Sequence, residues 1–219
     1  MFRKLPYDPV RSFDPVSLLG SFPLLLVVHP SLPAHSVQEL AAYARANPGK
    51  LKFAYGTGSA QVTGELFRKL SGADVLLVPY KTNPAAFLAV MGGESDCMVI
   101  DPGPTLPQIA SGRVRALAVT SAKRSAIAPT LPTMVEAGMP GYELFGWNAL
   151  LVPAGTPAPV VGRLQAEIAA IAVQAEVRQK LAQAGIDAQS SSAPELRRFM
   201  ESELAKWVGH NRSAGITPE

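Results

Sequence analysis

Five short apolar runs, separated by turns and helix patterns, constrain this chain more than anything else in it. Leu24-Leu25-Leu26-Val27-Val28 lies between Pro23 and Pro30. A run of that length with such breakers on both sides reads as a buried strand. Lys52-Phe53-Ala54-Tyr55, Val75-Leu76-Leu77-Val78, Cys97-Met98-Val99-Ile100 and Val114-Arg115-Ala116-Leu117-Ala118-Val119 repeat the pattern. Helices fill the intervals. Ser36-Val37-Gln38-Glu39 has the spacing of a capping box, Val37, Leu40, Ala41 and Ala44 follow at helical spacing, and Asn47-Pro48-Gly49 ends the segment. A second helix carries Glu65, Leu66 and Leu70, and a third runs from Ala85 to Val90 before Gly92-Gly93. This β-α-β alternation predicts a mostly parallel sheet with helices on its faces.

The texture changes after Ser121. A stretch rich in proline and glycine runs from Pro129 to Gly141, and Trp147 to Val152 reads as one more strand. Three helix patterns then follow almost without a strand between them. The first starts at Thr156-Pro157 with an apolar stripe of Val160, Val161, Leu164, Ile168 and Ile171, and a short one spans Val177 to Ala184. The last begins at the capping box Ser192-Ala193-Pro194-Glu195 and carries Leu196, Phe199, Leu204 and Trp207. Each stripe needs a sheet to bury it, and this half supplies little sheet. The pattern predicts that a partner segment is missing from it.

Composition narrows the classes. With 219 residues, 47% of them hydrophobic, the chain can bury a large core and is not disordered. No apolar run is long enough to span a bilayer, so direct membrane insertion is not expected. The net charge of +3 comes from scattered lysines and arginines that form no stripe, which argues against nucleic acid as a partner. Cys97 is the only cysteine, and no Cys/His cluster has metal-ligand spacing. Nothing calls for a cofactor. The first residues, Met1 to Pro6, lack the apolar core of a signal peptide, so any export signal would lie upstream.

Open α/β sheets bind ligands where strands end and helices begin. Two places fit. In Tyr55-Gly56-Thr57-Gly58-Ser59-Ala60-Gln61 the glycines let backbone come close to a ligand, and the following helix offers free amides and a positive dipole end to an anion. Small turns of this composition also serve purely conformational ends. The turn lacks the length and lysine of a nucleotide-binding P-loop. The second place is Ile100-Asp101-Pro102, where Asp101 either accepts from a ligand's ammonium or hydroxyl or caps the turn and helix behind it. Tyr80-Lys81 also ends a strand; Lys81 either pairs with a carboxylate or faces solvent. Trp147 is a cleft wall or a core residue. Catalysis is not expected. Ser59 is not in a G-x-S-x-G elbow, and none of His29, His35 and His210 is placed beside it as a base.

The blocks "LPYDPVRSFDPV", "HPSLPAHSVQELAAYARANPGKLKFAYGTGS", "GELFRKLSGADVLLVPYK", "RVRALAVTSAKRS", "LPTMVEAGMPGYE" and "VPAGTPAPVVGRL" together resemble the Bug family, the extracytoplasmic receptors of tripartite tricarboxylate transporters. The resemblance covers essentially the whole chain. It implies a type II periplasmic-binding-protein fold: two α/β lobes with a ligand cleft between them. Residues 24–142 would form an inserted lobe, and residues 1–23 with 143–219 a discontinuous one, incomplete because family members begin earlier with a signal peptide, a first strand and a loop that forms one jaw of the site. The Gly56 to Gln61 turn would be the other jaw. The implied function is periplasmic capture of a small carboxylate, an organic acid or acidic amino acid, for uptake through the membrane components of such a transporter. Gly56, Thr57, Gly58, Ser59, Gln61, Tyr80, Lys81, Asp101 and Trp147 would line the site. The alternative reading is a receptor-like protein that works by contact with a membrane sensor, or a remnant that no longer binds. Departures from the family fall on the binding side. The usual histidine before the "GELF" helix is absent, Tyr80-Lys81-Thr82 stands where Tyr-Lys-Gly is common, and Ile100-Asp101-Pro102 replaces an aromatic-Asp-Asn-like segment.

Overall fold

The structure, a computed structural model, describes residues 6–215. Residues 1–5 and 216–219, which the sequence assigns to the discontinuous lobe, lie outside the described residues. In chain order the elements are β1 (Phe13–Pro23), β2 (Leu25–Val28), α1 (Val37–Ala46), β3 (Lys52–Tyr55), α2 (Gly58–Ser71), β4 (Leu76–Pro79), α3 (Asn83–Met91), β5 (Cys97–Ile100) and α4 (Pro102–Ala110). There follow β6 (Arg115–Val119), β7 (Phe145–Pro153), α5 (Ala158–Ala172), α6 (Ala175–Gln183), β8 (Asp187–Ala188) and α7 (Ala193–Ser213). The chain divides into two compact units. One is Phe22–Gly146; the other joins the residues through Ser21 to those from Trp147 onward. The chain passes between them within β1 and within β7.

The Phe22–Gly146 unit is built on a five-stranded sheet in the order β4-β3-β5-β2-β6. β3 is parallel to both β4 and β5. β2 runs antiparallel to β5 and to β6, with an irregularity between Leu26 and Val27 on the β6 side. The sheet is therefore mostly parallel, as the sequence predicts: β3, β4, β5 and β6 run one way and β2 alone runs the other. Crossover helices return the chain to the same end of a sheet, and β2 has none before it: it follows β1 after the single residue Leu24. All four residues of β2 are fully buried, as a central strand covered on both faces requires.

Strand alternation assigns the helices to faces. Phe53 meets Phe67 of α2 with ring centroids 6.0 Å apart. A side-chain carbon added at Gly64 of α2 would lie 2.7 Å from Leu77 and 2.9 Å from Phe53, so only glycine lets this helix come so close. Ala54, pointing the other way, joins a cluster with Leu25, Val27, Met98, Ile100 and Ala86, Phe87 and Val90 of α3, with Leu106 and Ile109 of α4 packed on it. α2 thus covers one face, α3 and α4 the other.

The second unit has a three-stranded sheet, β7-β1-β8. Gly20 on β1 faces Ala188, and a side chain there would collide with Ile186 and the Asp187 carbonyl. The eleven residues of β1 carry no strand signature in FDPVSLLGSFP, with Pro15 and Gly20 inside the run, and the sequence reading contains no strand here. The helices of this unit bury little: only Ala172 in α5, none in α6, Leu196 and Glu203 in α7. Among the described residues no helix is long and apolar enough to cross a membrane.

Candidate functional site

Because β4, β3 and β5 are parallel neighbours, their carboxyl ends share one edge of the Phe22–Gly146 sheet. Each of the three leads at that edge into a helix: Thr57 caps α2, Thr82 caps α3, and Asp101 occupies the cap position of α4. The helix after β3 leaves to one face while those after β4 and β5 leave to the other. Such a divergence opens a crevice between the loops, which is where open α/β sheets hold ligands.

The β3–α2 turn is organised by two side chains. Thr57 Oγ1 accepts from the Ala60 amide at 3.2 Å and lies 3.1 Å from Ser59 Oγ. The Gly56 amide donates to Asn83 Oδ1 at 3.1 Å, and Thr57 Oγ1 is 3.5 Å from the same oxygen. The Gln61 amide closes the first helical turn on the Thr57 carbonyl at 2.9 Å. Gly58 and Ser59 occupy the first two helical positions, whose amides have no intrahelical acceptor. They are the donors of the turn that an anion can use, in the positive end of the α2 dipole.

The structure gives Gly56 a different reason from close approach to a ligand. A carbon added there would sit 2.0 to 2.2 Å from backbone atoms of Thr82 and Asn83. The close neighbour is the start of α3. Ser59 is exposed and its hydrogen bond goes to Thr57, so it has the surroundings of a polar donor rather than of an activated nucleophile. Gln61 is half-buried on the first turn of α2.

Tyr80 continues the parallel ladder, its amide donating to the Tyr55 carbonyl at 2.8 Å. Its ring packs on the Ala54 face of the core and its hydroxyl pairs with Ser95 Oγ at 3.0 Å, so the phenol is anchored within the unit. Lys81 is exposed. Asp101 makes no capping hydrogen bond to α4, so its side chain does not act as the helix cap that the sequence allowed for. The residue is exposed, yet burial of its carboxyl among neighbouring atoms raises its pKa above the usual carboxylate range. It lines a groove of about 320 Å³ together with Asn83, Phe87, Leu88, Met91 and Ile100. Trp147 belongs to the other unit, where its ring meets Phe199 of α7 edge-on, with centroids 5.2 Å apart.

The structure therefore brings together Gly56, Thr57, Gly58, Ser59 and Gln61 in one turn, with Tyr80, Lys81 and Asp101 on the same sheet edge; Trp147 it assigns to the second unit. Asn83 is the residue the sequence reading missed. Its signal was present in Thr82-Asn83-Pro84, a capping threonine with proline in the first helical turn, which moves the α3 start two residues ahead of the expected Ala85. Among the described residues no group of three or more His, Cys, Asp or Glu is placed to hold a metal.

Two α/β units joined by two strand crossings, with helix starts gathered at the switch point of one sheet, define a fold of the periplasmic-binding-protein kind. The chain belongs to the tripartite tricarboxylate transporter family receptors, whose family model matches residues 1–212. It is 32% identical over 213 residues to protein BugT of Bordetella pertussis, covering 96% of this chain and 65% of that one. The chain thus spans just under two thirds of this curated relative. Among solved structures, the adipate complex of Rpa4515 from R. palustris superposes with a TM-score of 0.91 at 33% identity, over 100% of this chain and 74% of that one. Malate-bound MatC of Rhodopseudomonas palustris gives 0.79 at 28% identity, over 95% and 73%. The family is one of solute receptors rather than enzymes.

Proposed function

We propose that this protein is an extracytoplasmic receptor that captures a small organic acid or acidic amino acid and presents it to the membrane components of a tripartite tricarboxylate-type uptake system. The observation that carries the reading is the sheet edge at which the α2 and α3 starts are tied together beside Lys81, an arrangement of unpaired amides, hydroxyls and positive charge suited to one carboxylate. Adipate and malate in the two solved relatives support the ligand class. Gly58, Ser59 and the Thr57 hydroxyl hold the carboxylate. Asp101 reads the remainder, accepting from a hydroxyl or ammonium and disfavouring a second carboxylate placed directly against it. Binding without turnover fits a site whose serine has no base. Export to the periplasm is part of the same proposal.

A thermal-shift screen against mono-, di- and tricarboxylates and acidic amino acids tests it. A ligand specific for the folded state stabilises by roughly 2.7 kcal/mol at a concentration 100-fold above Kd. A rise in Tm with one carboxylate class, reduced in Ser59→Ala by the loss of about 1 kcal/mol of binding, is the expected result. No rise with any member of the panel would overturn the reading for this chain.

A further inference from the structure

We infer that Asn83 is a positioning and specificity residue of the carboxylate site: its carboxamide oxygen fixes the β3–α2 turn while its amide hydrogens face no protein partner and serve the ligand. The inference rests on the carboxylate-binding reading for its ligand-facing half and on geometry alone for the other.

The orientation of the carboxamide follows from chemistry. The Gly56 amide, 3.1 Å away, is a donor and requires an acceptor opposite it, so the oxygen is turned toward Gly56. The same oxygen is 3.5 Å from Thr57 Oγ1. The contact spans 27 residues and joins the loop after β3 to the first residue of α3. The two segments are in backbone contact at this point, since the Thr82–Asn83 backbone fills the space where a Gly56 side chain would stand. Gly56 and Asn83 are thus a matched pair, the missing side chain of one making room for the backbone of the other. The Thr57 hydroxyl, held between Ala60, Ser59 and Asn83, is aligned by the same contact.

With the oxygen so engaged, the two Nδ2 hydrogens have no hydrogen-bond partner among the described residues, and Asn83 is only partly exposed. Asn83 also lines the groove that Asp101 lines, so one residue borders both the β3–α2 turn and the groove with the acidic side chain. A neutral donor at this position favours a carboxylate over an ammonium, opposite in sign to Asp101. The pair gives the crevice a polarity, with carboxylate toward Asn83 and hydroxyl or ammonium toward Asp101.

Two substitutions separate the roles. Asn83→Asp keeps an acceptor opposite the Gly56 amide but replaces the donor group with a negative charge, and an acidic residue at the first helical position favours α3. Asn83→Ala removes both. Amide exchange at Gly56, followed by NMR without ligand, should be faster by about tenfold in Asn83→Ala and near the parent rate in Asn83→Asp. Affinity for adipate and malate, measured by calorimetry, should fall by about tenfold or more in Asn83→Asp, with Tm unchanged. A purely structural role would spare binding in Asn83→Asp, and parent-like affinity there overturns the ligand-facing half. Unchanged Gly56 exchange in Asn83→Ala overturns the positioning half. A parent that binds neither of these nor any other acid of the thermal-shift panel removes the carboxylate reading together with the ligand-facing half, while Gly56 exchange still decides the other.

Discussion

Asp101 carries a pH signature of its own. Burial raises its pKa in the folded state, so the folded protein holds this proton more tightly than the unfolded chain does. The stability linked to the group is complete below the unfolded value of about 3.9 and is lost as pH rises through the folded value. Ionised Asp101 therefore works against folding at neutral pH. Asp101→Asn should raise Tm at pH 7, and the gain should shrink toward zero as pH falls below about 4. A gain of equal size at both pH values would assign the effect to packing instead. Gly56 shows how far single residues were legible. The glycine-rich turn marked itself in the sequence, but the reason for Gly56 lies 26 residues ahead, in the Thr82 backbone, where no local pattern could announce it.

At the scale of elements, the residue that follows β6 serves two others. Thr120 is fully buried; its hydroxyl donates to the Leu144 carbonyl at 2.6 Å and accepts from the Leu24 amide at 3.0 Å. Its own amide donates to the Leu24 carbonyl, and its carbonyl accepts from the Leu144 amide. One threonine thus fastens the chain where it leaves β1 and where it approaches β7. Thr120→Val keeps the shape and removes the hydroxyl, leaving Leu24 and Leu144 each short of a partner. The expected cost is about 1–3 kcal/mol in urea denaturation, against nearly none for a threonine with its hydroxyl in water. The helix starts were the most legible elements, because capping is local chemistry: the box at Ser192 and Glu195 forms as its spacing predicts. At Ser36 only half of it forms, since Glu39 accepts from the His35 amide rather than from Ser36. The direction of β2 was not legible, because antiparallel pairing with β5 and β6 is decided by residues some 70 to 95 positions away. Nor was β1, whose sequence lacks alternation and whose partner β8 is two residues long.

Across the whole molecule the two units differ in how well they bury themselves. In the Phe22–Gly146 unit, β2 and β5 are buried along their full length and α1, α2 and α3 each bury four or more residues. In the other unit Val160, Ile171, Val173, Leu204 and Val208 are 46–63% exposed, and Leu19, Ile168, Ile171, Leu181 and Ile186 line an apolar groove of about 540 Å³. Most of these apolar side chains lie on or beside the consecutive helices α5, α6 and α7. Local stability follows buried apolar contact, since an amide exchanges through the cheapest opening that exposes it. Amides of β2, β3 and β5 should therefore exchange only through global unfolding. Those of α5 and α6 should exchange faster, through openings that leave the five-stranded sheet intact. Hydrogen exchange followed by mass spectrometry on the ligand-free chain separates these regimes, because the slow class should track denaturant sensitivity of the whole fold and the fast class should not. Equal protection in α5 and β5 would mean that the exposed stripes of the second unit are covered in solution, by another segment or another copy. A bound carboxylate sharpens the contrast: gripped at the starts of α2 and α3, it should slow exchange around Gly58 and Ser59 and leave α5 and α6 as they were.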